Sequence, residues 1–271
     1  MERYLLAAVQ EDLQRKMVFL GGARQVGKTT LARGLLGGGP GTLTWDADDD
    51  RARILARELP VSDLWVFDEL HEYRSWRGYL KGLYDRRAEG QRILVTGSAR
   101  LDLDRHGGDS LQGRYHYLRL HPLSAAELSA RSSEPLESLL ALGPFPEPFL
   151  SGSARLAQVP DEAARFENLV ASHLLKWIHR EEDLEGRDLE LRYFRDVDGR
   201  EVDFVVLERR TPILFVECKL TSTPLDPGLR YLVERFPRVP AWQIALRGDR
   251  DAKTPEGVRL APAWKLLATL A

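Results

Sequence analysis

Two short stretches carry residue types that could do chemistry. The first, "GARQVGKT", fits the spacing G-x-x-x-x-G-K-[ST] with Gly22, Gly27, Lys28 and Thr29. Glycines at that spacing let backbone N–H groups converge on phosphate oxygens, and a helix starting there adds the positive end of its dipole. Lys28 is expected to reach the β- and γ-phosphates of a nucleotide and Thr29 to ligate Mg2+, with Arg24, Gln25, Val26 and Thr30 completing the cradle. The second stretch, "ILFVECKL", reads as a buried strand, yet Glu217 and Lys219 stand two residues apart near its end.

The phosphate loop has a partner in "LWVFDEL", where an apolar run ends in Asp68 and Glu69. Carboxylates at the carboxyl end of a buried strand lie on the edge where open α/β sheets bind ligands. Asp68 is expected to hold Mg2+ through its water shell and Glu69 to polarise an attacking water. The acidic pair favours activated water over transfer to a substrate hydroxyl, so a small-molecule kinase is disfavoured. A third apolar strand, "ILVTGS", ends in Thr96 and Ser98. Ser98, nearer the strand end, is expected to sense the γ-phosphate or place the water. Thr96 reads equally as a buried strand residue.

Alternation in the second stretch gives Leu214, Val216, Cys218 and Leu220 one apolar face, and Ile213, Phe215, Glu217 and Lys219 the other. Its neighbour "REVDFVVLE" should place Asp203 and Val205 on one face, and Val202, Phe204 and Val206 on the other. If the two strands pair through the "RRTP" turn, Asp203, Glu217 and Lys219 converge at one end of the hairpin. Two carboxylates there could hold Mg2+ and its activated water, with the lysine steadying charge on a phosphodiester. The same residues could equally be a cross-turn ion pair on a solvated sheet end, worth little energetically.

The elements that must position these residues can be read in outline. "MVFL", "GTLTWD", "LWVFDEL" and "RILVTGS" read as strands, alternating with helical stretches such as "KTTLARGLL" and "WRGYLKGLYDRRAEG". That alternation predicts an α/β fold: a P-loop parallel sheet with helices on both faces. After a stretch rich in proline, glycine and serine comes a long amphipathic helix, "EAARFENLVASHLLKWIHR". The strands "LELRYFRD", "REVDFVVLE" and "ILFVECKL", the helix "GLRYLVERF" and the strand "AWQIAL" complete a second, smaller α/β domain. The expected boundaries are 1–155 and 156–271.

Composition removes several classes. A net charge of −2 gives no whole-molecule basic field, so any nucleic-acid contact must come from a local patch. One cysteine, Cys218, rules out a disulfide framework or a multi-cysteine metal site. No apolar run is long enough to span a membrane, and the opening residues lack the pattern of a secretory signal, so a reducing cytoplasm is expected. His71, His106 and His121 are scattered without metal-ligand spacing and are expected to serve packing or the surface.

The stretches "ERYLLAAVQEDL", "GARQVGKTTLA", "LWVFDELHEY", "ILVTGSARLDL" and "LQGRYHYLRLHPLS" together resemble the AAA+-type ATPases of prokaryotes that carry a C-terminal nuclease-like domain. The resemblance implies ATP and Mg2+ as cofactors and points to Arg114, in the "GR" before "LHPLS", as an arginine near the γ-phosphate. Downstream, "FENLVASHLLKW", "ELRYFRD", "GREVDFVV" and "LFVECKL" resemble the PD-(D/E)xK nuclease fold. Asp203 would be its first acid, Glu217-Cys218-Lys219 its E-x-K, and Glu167 the helical glutamate completing a metal site. DNA, a second copy of the chain or another protein would then be partners. The family also implies a helical lid and a winged-helix-like segment between the domains, for which "PEPFLSGSARLAQVPDEAARFENLV" leaves no room.

Overall fold

The first five strands form one parallel sheet in the computed structural model, which describes residues 2–98, 111–151 and 161–270. The strands are β1 (Met17–Gly21), β2 (Thr42–Thr44), β3 (Leu64–Asp68), β4 (Arg92–Gly97) and β5 (Tyr115–Arg119), in the spatial order β2-β3-β4-β1-β5. All neighbours are parallel. Every residue of β1 is buried, as expected of a central strand covered on both faces. The sheet is flanked by α1 (Leu6–Asp12), α2 (Lys28–Leu35), α3 (Asp48–Ala56) and α4 (Trp76–Arg86). One core joins Phe19, Phe67, Ile93 and Val95 to Leu80 and Leu83 of α4. Strand β5 has no clear strand signature in sequence, because "YHYLR" is polar and aromatic rather than continuously apolar.

Six further strands make a mixed sheet. They are β6 (Leu189–Arg195), β7 (Glu201–Glu208), β8 (Thr211–Thr221), β9 (Ala241–Arg247), β10 (Ala252–Lys253) and β11 (Arg259–Pro262), ordered β10-β11-β9-β8-β7-β6. The helices of this part are α5 (Glu134–Leu142), α6 (Pro146–Ser151), α7 (Glu162–Glu185), α8 (Pro227–Arg235) and α9 (Ala263–Leu267). Helix α7 starts where the Asp161 carboxylate accepts from the Ala163 and Ala164 amides, at 2.9 and 3.2 Å. It ends at Gly186 in a left-handed conformation. Its residues Phe166, Leu169, Val170, Leu174 and Ile178 recur at helical spacing and bury against Val206, Leu214 and Val216 of the sheet. Helix α8 covers the opposite face through Leu229, Leu232 and Val233.

The chain divides into two compact units, Glu2–Pro122 and the residues from Leu123 onward. Leu123–Ser151 therefore packs with the second unit: Leu123, Leu136 and Leu139 share the core of α7. The junction expected from sequence, 155/156, falls within 152–160, which lie outside the described residues. What ties 123–127 to the second unit is a buried polar cluster. Lys176 of α7 pairs with Glu127 and donates to Ser124 Oγ at 2.9 Å, while His173 Nε2 accepts from the Ala125 amide at 2.9 Å. Such a cluster has no periodicity in sequence.

Candidate functional site

The phosphate loop occupies the turn from β1 into α2, at the carboxyl edge of the sheet. At Gly22 a Cβ would lie 2.3 Å from the Leu120 carbonyl, so only glycine fits beside β5. Gln25 and Gly27 have φ of 63° and 93°, curling the backbone into the concave shape that binds anions. The Val26 carbonyl is held by the Arg3 guanidinium. Arg24, Gln25 and Thr30 are exposed and Val26 is buried. Lys28 is also buried, and its ammonium donates to the carbonyls of Gly22 and Ala23 at 2.9 and 2.8 Å. Burial lowers its pKa, against the opposing charges of Glu69 and Asp68.

Asp68 closes the site from β3. Its carboxylate accepts from the Thr29 hydroxyl at 3.1 Å and from the Thr96 hydroxyl on β4. Thr29 and Asp68 thus present two hard oxygens to one point, a donor set that fits Mg2+ with its retained waters. Glu69, the next residue, has φ 53°. A non-glycine residue in the left-handed region costs about 1–2 kcal/mol, and the bond from its amide to the Thr96 carbonyl, 2.9 Å, helps hold it there. Its carboxylate lies 3.4 Å from the Ser98 amide. Lys28, Thr29, Asp68, Glu69 and Ser98 therefore gather on one sheet edge.

Arg114 does not join them. Its carbonyl accepts from the Met17 amide, where β1 begins, so it sits at the amino edge of the sheet. The phosphate loop leaves β1 after Gly21, about 13 Å further along the strand at some 3.3 Å per residue. The Arg114 side chain pairs with Asp85 at 2.8 Å. The expectation of an arginine beside the γ-phosphate in its own chain is thus corrected. Placement by motif ignored that β1 and β5 run parallel, which sends residues preceding β5 to the far edge.

The second unit brings together Asp203, Glu217 and Lys219. The β7–β8 ladder ends at Phe204↔Val216, and one residue beyond it side chains take over the backbone's bonds. Glu217 accepts from the Asp203 amide at 3.2 Å, and Asp203 accepts from the Cys218 amide at 2.7 Å. The Lys219 ammonium bridges Glu217 at 2.7 Å and Asp226 at 3.0 Å. Strict alternation fails here: the β6–β7 register shifts between Arg192 and Phe194, and Val202 joins Val205 and Phe215 in the α8-side core. The bulge puts Asp203 where an ideal strand would not.

Burial and the charge of Asp203 push the Glu217 carboxyl up to about 7. Burial also raises Asp203. Glu167, on α7, is raised by burial and by Asp203. Burial works against the Lys219 ammonium, but its bonds to Glu217 and Asp226 outweigh it and hold it above its usual range. Among the described residues no three His, Cys, Asp or Glu side chains are grouped to hold a metal ion, so Glu167 does not complete a three-carboxylate cage. Asp203 and Glu217 instead accept from the Cys218 and Asp203 amides, and Glu217 also from Lys219.

Four residues at these sites escaped sequence reasoning or were read differently. Asp226 caps α8, accepting from the Gly228 amide at 2.8 Å, and "DPG" before a helical run was its signal. Gln243 lies beside Glu217 on β9 and donates to Pro224 at 2.9 Å; a lone amide in "AWQIAL" was the clue. Thr96 bonds to Asp68 as well as being buried. His71, expected to serve packing or the surface, has its ring at the first site; His106 lies outside the described residues.

A parallel sheet in this order, with a glycine loop after β1 and an acidic pair ending β3, defines a P-loop nucleotide-binding α/β fold. Residues 14–129 match the family model of an AAA domain, and residues 163–266 match that of the Domain of unknown function (DUF4143). Uncharacterized proteins of Mycobacterium bovis and Mycobacterium tuberculosis are each 33% identical over 125 residues, 44% of this chain. The match spans only 28% of the length of these curated relatives. The first unit thus has the fold and motifs of a P-loop ATPase-like AAA domain, and the second is similar to a family of unknown function. Among the described residues no helix is long and apolar enough to cross a membrane.

Proposed function

We propose that the first unit binds ATP with Mg2+ and hydrolyses it. The observation that carries this reading is the meeting of Thr29 and Asp68 at 3.1 Å beside the buried Lys28, with Glu69 next in line. Thr29 and Asp68 would hold Mg2+, which when bound neutralises charge on the β- and γ-phosphates. Lys28 would exchange its two carbonyl partners for phosphate oxygens. Glu69 would orient a water and accept its proton as the water oxygen bonds to the γ-phosphorus and the bond to the ADP oxygen breaks. Ser98 would contact the γ-phosphate or the water. Glu69→Gln should keep ATP affinity within about threefold and lower kcat about 100- to 1,000-fold in a steady-state phosphate-release assay. An unchanged kcat would remove Glu69 from the reaction.

A second reading rests on Asp203, Glu217 and Lys219. Asp203 and Glu217 would hold Mg2+, and Lys219 would steady a phosphate of DNA, giving phosphodiester hydrolysis. The raised Glu217 carboxyl favours it, since such a pair gains from a cation between them. The double pairing of Lys219 favours the alternative, a nucleotide-switched binding protein whose cluster is inert. Supercoiled plasmid with Mg2+ or Mn2+ decides between them. Nicking abolished by Lys219→Ala supports hydrolysis, and intact plasmid with retained ATP binding supports the inert module.

A further inference from the structure

Beside Glu69 lies a residue that the hydrolysis scheme does not use. His71 sits on the short 3-10 helix Leu70–Glu72 that follows β3, and its side chain is only 8% exposed. Its Nε2 is 3.3 Å from Ser98 Oγ at the end of β4. Its Nδ1 is 3.4 Å from Glu69 Oε2, yet is buried without an aligned hydrogen bond. A buried ring nitrogen left unsatisfied costs about 1–3 kcal/mol, and such groups call for a functional reason. Both contacts exceed the usual hydrogen-bond distance by about 0.4 Å, so one small movement of the ring or of Glu69 would tighten them.

We propose that His71 is a positioning residue that links Glu69 to Ser98 through its two ring nitrogens. This rests on the reading of Glu69 as the group that orients water. A neutral imidazole has one N–H and one bare nitrogen. Nδ1 faces a carboxylate, which can only accept, so Nδ1 carries the hydrogen and Nε2 accepts from the Ser98 hydroxyl. That arrangement aims the Ser98 lone pairs away from the ring, toward whatever occupies the sheet edge. A shift of Ser98 on contact with phosphate would then reach the Glu69 carboxylate through the ring. The Glu69 carboxylate already lies 3.4 Å from the Ser98 amide, so the ring adds a second link between the same two residues.

Two measurements test the link. Nitrogen NMR of the full chain labelled in histidine should show the His71 ring with its hydrogen on Nδ1, and Ser98→Ala should move the Nε2 resonance. A hydrogen on Nε2, or a resonance indifferent to Ser98→Ala, overturns the proposal whether or not the protein turns over ATP. In phosphate release, His71→Ala should lower kcat about tenfold or more while ATP affinity stays within about twofold. His71→Asn, whose amide can occupy the Nδ1 position, should recover most of that loss, and His71→Gln, which mimics Nε2, should recover less. Equal kcat in His71→Ala and the native chain overturns the proposal, as does no recovery in His71→Asn. Absence of ATP hydrolysis in the native chain would instead remove the hydrolysis reading, with the NMR result still deciding the link.

Discussion

At the phosphate loop the buried charged group is a base, and at the β7–β8 end the buried groups are acids. Lys28 is out of water with its pKa lowered by that burial, and its partners are neutral carbonyls. Glu217 and Asp203 are out of water with their pKa values raised, and they face each other. The Lys28 ammonium bonds to carbonyls, although the charges of Asp68 and Glu69 also act on it, and it can take an anion; the raised carboxyls of the second site can take a proton or a cation. The second is partly neutralised from within, because Lys219 already spans two carboxylates.

The buried histidine of α7 sharpens that contrast, being a buried base whose ring nitrogens are both engaged. His173 contacts the Ala125 amide and the Leu169 carbonyl, and burial lowers its pKa to about 4 from 6.5. Between those values the unfolded chain binds the proton and the folded one does not. Its contribution is therefore whole above pH 6.5 and lost as pH falls toward 4, on the order of 3 kcal/mol. Unfolding midpoints across that range should fall in the native chain and fall less in His173→Gln; parallel curves would show that the ring is not titrating there.

A smaller effect is expected at the carboxylates. Mn2+ titrated without nucleotide should bind the second unit about tenfold more weakly in Glu217→Gln, a loss of about 1.4 kcal/mol. Unaltered binding would leave only an ion-pair role for Glu217. The same carboxyl also bears on stability. The folded value of about 7 lies above the ordinary 4.5, so the folded chain holds the extra proton between them. The cost is absent below 4.5 and complete above 7. The melting midpoint of Glu217→Gln relative to the native chain should therefore climb from pH 5 to pH 8. A constant difference would mean that the carboxyl is not raised.

The first site was legible because its chemistry is contiguous. Eight residues from Gly22 to Thr29 name the loop, and the apolar run before Asp68 names the strand end. Arg114 was misplaced because the short motif around it is silent about which edge of a parallel sheet it reaches. His71 reads from sequence as a packing or surface residue because a histidine two residues past an acidic pair has no spacing signature; only the return of β4 brings Ser98 to it. At the second site, the types and order of Asp203, Glu217 and Lys219 suggested a meeting, but the bulge at Asp203 depends on pairing with β6 and on packing. The attachment of Leu123–Ser151 to the second unit depends on Lys176 and Glu127, 49 positions apart, finding each other in a buried pocket.

The most direct test of the central claim is calorimetric titration of the full chain with ATP and Mg2+, beside Lys28→Ala. The account predicts saturable binding at one site per chain in the native protein. It also predicts affinity reduced at least about 100-fold in the variant, because a charge-assisted contact to phosphate is lost from a buried position. Equal affinities, or no heat from the native protein, would contradict it.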